Sequence, residues 1–215
     1  MDLNKYIDFT NLKKDGTSKD IAKLCQDAMK YGFEAVCVYP CYVTLAKEFL
    51  EGSTVKVCTV IGYPDGMNGP KVKSYEAIDA IEMGADEIEM VINHGALIDK
   101  DYDYIKAEIE EIRDSIDGKT LKVIVEPHLL DKDDMVKITE ICSASFVNYI
   151  EIYNSKKHKE NNVKDVTLIN EHKNEALEVK VNGHLKTEED ILELINLGVT
   201  RVAVSKISKL IEEEK

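Results

Sequence analysis

The chain is poor in positive charge. Lys and Arg number 28 against 41 Asp and Glu, giving a formal net charge of −13 over 215 residues and a pI near 4.9. Non-specific binding of DNA or RNA needs clustered Lys and Arg to meet phosphates, so a nucleic-acid partner is not expected. No apolar run approaches the ~20 residues that cross a bilayer, so neither is a membrane. Paired cysteines are missing too. The five, Cys25, Cys37, Cys41, Cys58 and Cys142, are odd in number and match no zinc spacing. Reduced, buried thiols are the reading, as in a cytoplasmic protein. The opening "MDLNKYIDFT" has no signal-peptide pattern, and no linker or low-complexity segment divides the chain. No G-x-G-x-x-G follows the first apolar run, which argues against an open doubly wound sheet.

What is present is an alternation. Short β-branched runs occupy 6–10, 34–39, 55–62, 87–93, 121–126, 148–154, 177–182 and 201–205. Amphipathic patterns lie between them, near 18–31, 41–51, 69–83, 101–116, 131–142, 163–172 and 187–197, and a short charged helix is expected from about 205 to the end. "TSKD" before "IAKLCQDAMKYG" and "TEED" before "ILELINLG" supply a hydroxyl cap at one end and a glycine stop at the other. Eight β-α units in one domain-sized chain point to α/β architecture, a single (β/α)8 TIM barrel over residues 1–215.

In such a barrel the helix-facing side of each strand is apolar, and the period of two assigns the other side to the interior. In "EIEMVIN" this turns Glu89, Val91 and Asn93 inward. In "LKVIVEPH" it turns Lys122, Ile124, Glu126 and His128 inward, in "NYIEIYN" Tyr149, Glu151 and Tyr153, and in "EVKVNGH" Lys180 and Asn182. Four successive strands thus carry Glu89, Lys122, Glu151 and Lys180, with alternating sign. A direct Glu151–Lys180 pair and a Glu89–Lys122 pair are expected, since unpaired buried charge is costly.

The segments "YIDFTNLK", "VCVYPCYV", "KVCTVIGYP", "EAIDAIEMGADEIEMVINHGAL", "LKVIVEPHLL", "EVKVNGHL" and "GVTRVAVS" resemble the deoxyribose-phosphate aldolase family, in order and spacing, from residue 6 to about 206. The resemblance implies a class I aldolase that cleaves 2-deoxyribose 5-phosphate through a lysine Schiff base, with no cofactor. Lys180 falls on the family's seventh-strand lysine, Glu89 on its fourth-strand aspartate, Lys122 on a common fifth-strand lysine, and Asp8 on its opening aspartate. The imine-forming lysine of the sixth strand falls on Glu151, and "YIEIYNSKK" lacks the glycines that follow it in the family. The phosphate-binding positions fall on Gly183, His184, Ser205 and Lys206. The ligand class implied is a small phosphorylated or polyhydroxy molecule, and the oligomeric state stays open, a homodimer among the candidates.

Two alternatives stand beside a diverged aldolase with its ordinary cleavage lost or very weak. One is an active carbon–carbon lyase using Lys180 or Lys122 as imine former, or a divalent metal on His94, His128 and His184 with Glu126 or Glu151. The other is a non-catalytic binding or structural subunit. Lys156 and Lys157, with His184 and Lys206, form a candidate anion-attracting mouth.

Overall fold

The computed structural model describes residues 2–154, 159–183, 185 and 187–206, the side chains at 159–161 excepted. Eight parallel strands alternate with helices: β1 Ile7–Asn11, α1 Ser18–Tyr31, β2 Ala35–Val38, α2 Val43–Phe49, β3 Lys56–Ile61, α3 Pro70–Glu82, β4 Glu87–Val91, α4 His94–Ile98, α5 Tyr102–Ser115, β5 Thr120–Val125, α6 Lys132–Ala144, β6 Tyr149–Tyr153, α7 Lys159–His172, β7 Glu178–Asn182, α8 Glu188–Asn196 and β8 Arg201–Val204. The sheet closes in strand order, β8 pairing with β1 through Ile7↔Val202 and Phe9↔Val204. Closure makes this the expected (β/α)8 barrel and disposes of the open sheet. Among the described residues no helix is long and apolar enough to cross a membrane.

Local chemistry sets the helix ends. Thr17 caps α1 in a capping box with Asp20, and Gly32 stops it in the left-handed region at φ 70°. Thr187 and Asp190 repeat the box on α8, and Asp131 with Asp134 does so on α6. Each satisfies backbone N–H groups that the first helical turn leaves without partners.

The core is the annulus between strands and helices. Val36, Val57, Ile88, Met90, Leu121, Val123, Ile150, Ile152, Val179, Val181 and Val202 are all fully buried there against the helices. The alternation assigned in the sequence therefore holds along the β4–β7 wall, with the polar parity inside. Two strand ends differ. β4 stops at Val91, and the Asn93 side chain accepts from the Ala96 N–H to cap the unforeseen α4, rather than pointing into the barrel. β5 stops at Val125, so Glu126 and His128 lie in a turn at the barrel rim, His128 partly exposed. The charged C-terminal helix expected beyond about 205 falls on 207–215, outside the described residues.

Candidate active site

Among the described residues the barrel interior holds seven charged side chains, all buried: Asp8 from β1, Glu87 and Glu89 from β4, Lys122 from β5, Glu151 from β6, Lys180 from β7 and Arg201 from β8. Register brings them together. Glu89 sits opposite Lys122, Glu151 opposite Lys180, and Lys180 opposite Arg201 on neighbouring strands. Both expected pairs form, Lys122 Nζ lying 3.1 Å from Glu89 Oε1 and Lys180 Nζ 3.0 Å from Glu151 Oε2.

They are not isolated pairs. Lys180 Nζ also contacts Glu89 Oε1 and lies 3.0 Å from Asp8 Oδ2, while Lys122 Nζ lies 2.7 Å from both Asp8 Oδ2 and Glu87 Oε2. Arg201 closes the lower end on Asp8 and Glu87, and its guanidinium stands over the Tyr149 ring, 5.7 Å from the centroid. Glu87 and Arg201 escaped the sequence reading, although each shares the inward parity of a neighbour, Glu89 or Ala203. Four carboxylates face three cations, so the cluster is one negative charge in excess when every group is ionised.

The excess settles on Glu151. Burial opposes ionisation of Asp8, but Lys122, Lys180 and Arg201 outweigh it and hold that carboxyl well below the usual range. Burial is likewise outweighed at Glu89, which Lys180 and Lys122 hold down to about 2. At Glu151 burial, then the repulsion of Glu89, prevails over Lys180 and Lys122, and its carboxyl rises to about 7. Glu151 Oε1 accepts from Asn182 Nδ2 at 2.9 Å, whereas buried Oε2 finds no hydrogen-bond donor among the described residues and meets Lys180 as an ion pair at 3.0 Å. Both lysines are held well above their ordinary pKa: burial opposes the charge, and the surrounding carboxylates overcome it.

Two thiols complete the interior. Cys37 Sγ donates to Glu89 Oε2 at 3.2 Å and Cys58 Sγ to Glu89 Oε1 at 3.1 Å. Cys37 is pushed well above the usual thiol range by its hydrogen bond with Cys58 and by burial, Cys58 upward chiefly by burial. All five cysteines are free, and Cys41 alone is exposed.

Of the expected histidine metal set, two members meet on Glu126. His94 Nε2 is 4.0 Å from Glu126 Oε1 and His128 Nδ1 3.4 Å from Glu126 Oε2; His184 lies outside the described residues, as do Lys156 and Lys157. Among the described residues the metal-capable donors that converge are Cys37, Cys58 and Glu89, within 4.8 Å of one another. Of the expected phosphate positions, Ser205 and Lys206 are exposed just past β8, and Gly183 follows β7 at φ 132°. A Cβ at Gly183 would lie 2.6 Å from the Asn154 carbonyl, so this backbone crossing needs glycine.

With that geometry in hand, comparison with known proteins is direct. The model of the DeoC/LacD family aldolases matches residues 3–148, ending where β6 begins. The chain belongs to this family. A deoxyribose-phosphate aldolase of Finegoldia magna is 45% identical over 99% of this chain and 100% of its own length. One from Metamycoplasma hominis is 47% identical over 92% of this chain and 91% of its own. The crystal structure of a putative deoxyribose-phosphate aldolase from Coccidioides immitis, 30% identical, superposes with a TM-score of 0.89 over 95% of this chain and 82% of that one. This is a deoxyribose-phosphate aldolase-like barrel.

Proposed function

We propose that this aldolase-like barrel has lost, or nearly lost, the retro-aldol cleavage of 2-deoxyribose 5-phosphate that its resemblance implies. Two lysines remain inside, and each is surrounded by three carboxylates. A Schiff base needs a neutral amine, and an ordinary lysine pKa near ~10.4 must fall for one to exist at neutral pH. A second cation beside the amine supplies that fall. Here Glu151 stands where the resemblance expects the reactive lysine, so the change removes a nucleophile and strengthens the charge on Lys180. The observation that carries the reading is the Lys180 ammonium, 3.0 Å from both Asp8 and Glu151 and in contact with Glu89.

The ligand class we assign is a small phosphorylated or polyhydroxy molecule at the C-terminal rim, where Gly183, Ser205 and Lys206 end β7 and β8. A second reading, cleavage through Lys180 or Lys122, draws support from the full-length likeness to proteins named as aldolases. The test is a coupled assay for glyceraldehyde 3-phosphate released from 2-deoxyribose 5-phosphate. The expected result is no release above the no-enzyme rate, together with a higher melting temperature when the sugar phosphate is added. Turnover near the ~10 s⁻¹ typical of enzymes would favour the second reading.

A further inference from the structure

The thiol pair of β2 and β3 plays no part in the proposed function, yet its placement is specific. Cys37 and Cys58 are register partners on adjacent parallel strands, and both side chains face the barrel interior, where they meet Glu89. All three residues are buried, and Val60, Leu12, Tyr39 and Tyr63 pack around the two sulfurs. Glu89 divides its oxygens: Oε1 meets both lysines and Cys58, while Oε2 meets Cys37.

We infer that Cys37, Cys58 and Glu89 form a binding site for a thiophilic divalent cation of the zinc, cadmium or cobalt kind. Two sulfurs and one carboxylate oxygen suit such an ion and leave a coordination position open. With metal–sulfur and metal–oxygen bonds near ~2.3 and ~2.0 Å, tetrahedral sulfur–oxygen edges are about 3.5 Å. The observed 3.2 Å between Cys37 Sγ and Glu89 Oε2 has to open by only a few tenths of an ångström.

The charges balance as well. Each thiol loses its proton to solvent, two metal–sulfur bonds and one metal–oxygen bond form, and the ion's two positive charges replace two protons. The interior keeps its net charge, so the neighbouring Lys122 and Lys180 meet the same total as before. A doubly charged ion held by oxygens alone would gain no such compensation. Coordination through Oε2, with Cys58 Sγ turning from Oε1 to the ion, leaves Oε1 to the two ammonium groups.

The experiment is a Co²⁺ titration of the reduced full-length protein, both as purified and after refolding from urea with Co²⁺ present. The second arm serves because the site is enclosed. The expected result is a thiolate-to-cobalt charge-transfer band that saturates at one equivalent and is bleached by Zn²⁺. The band should disappear in Cys37→Ser and in Cys58→Ser and persist in Cys41→Ser. Should either interior serine variant fail to fold, the corresponding alanine variant replaces it, with circular dichroism confirming the fold. No band in either arm, or a band that survives the loss of Cys37 and of Cys58, overturns the assignment.

Discussion

At the scale of the residue, Glu151 and Lys180 are partners with unequal stakes. Removing the Glu151 charge leaves Lys180 with Asp8 and Glu89 and brings four carboxylates down to three against three cations. Removing Lys180 leaves Asp8, Glu89 and Glu151 with fewer cations than they need. At pH 4, where Glu151 is protonated in the folded protein and largely so unfolded, Glu151→Gln should therefore change stability by less than about 1 kcal/mol, and Lys180→Met should cost ~3–5 kcal/mol, the penalty for orphaning buried charge. Urea unfolding of the two variants at one pH measures both; equal losses would refute the asymmetry.

The same carboxyl gives a pH signature. Glu151 binds its proton more tightly folded, at about 7, than in the unfolded chain, where Glu titrates near ~4.3. Its contribution is fully present below ~4.3 and is lost as pH rises through 7, a loss on the order of 4 kcal/mol at about 1.4 kcal/mol per pH unit. Glu89, held down to about 2, acts in the opposite sense: its contribution is present above ~4.3 and is lost as pH falls toward 2. Wild-type stability should decline between about pH 4.3 and 7, and Glu151→Gln should flatten that decline. An unchanged slope in the variant would place the titration elsewhere.

At the scale of the element, the outer layer fixes where β4 ends. Lys73 of α3 and Glu108 of α5 form a fully buried ion pair at 2.7 Å. Lys73 Nζ also donates to the Val91 carbonyl at 2.7 Å, and Glu108 Oε2 accepts from the Asn93 N–H at 3.1 Å. The pair thus holds the two backbone groups on either side of Ile92, just past the strand that carries Glu87 and Glu89. Its stem fills the notch at Gly62, where a Cβ would meet Lys73 Cε at 2.6 Å. Either Lys73→Met or Glu108→Gln alone should destabilise by ~3–5 kcal/mol. A double-mutant cycle should show coupling of at least about 1 kcal/mol, as contacting residues do; additive losses would deny the clamp.

At the scale of the whole molecule, the barrel was legible because each strand–helix unit repeats the same grammar. Period-two alternation found Glu89, Lys122, Glu151 and Lys180 because charge stands out against apolar neighbours. It stopped short of Glu87 and Arg201, which continue the same faces toward the strand starts. It gave no sign that Cys37 and Cys58 point inward, since Val36 and Val38 flank one, Val57 and Thr59 the other, and a thiol stands out against neither as a charge does. Reading β4 through Asn93 failed because apolar Ile92 prolongs the pattern past the strand's end, and the Lys73–Glu108 clamp joins two helices whose contact no periodicity encodes. That the interior is a seven-charge network rather than two pairs follows only from closure, which sets Asp8 of β1 against Lys180 of β7 across the barrel.

The account's central claim is that the lysines of this network stay charged and form no imine. Incubation with acetaldehyde and sodium borohydride, followed by mass spectrometry of peptides spanning Lys122 and Lys180, tests it most directly. The account predicts both lysines unmodified while exposed lysines show only background reduction. Stoichiometric reductive alkylation at Lys180 or Lys122 would contradict it and make this barrel a working aldolase with displaced chemistry.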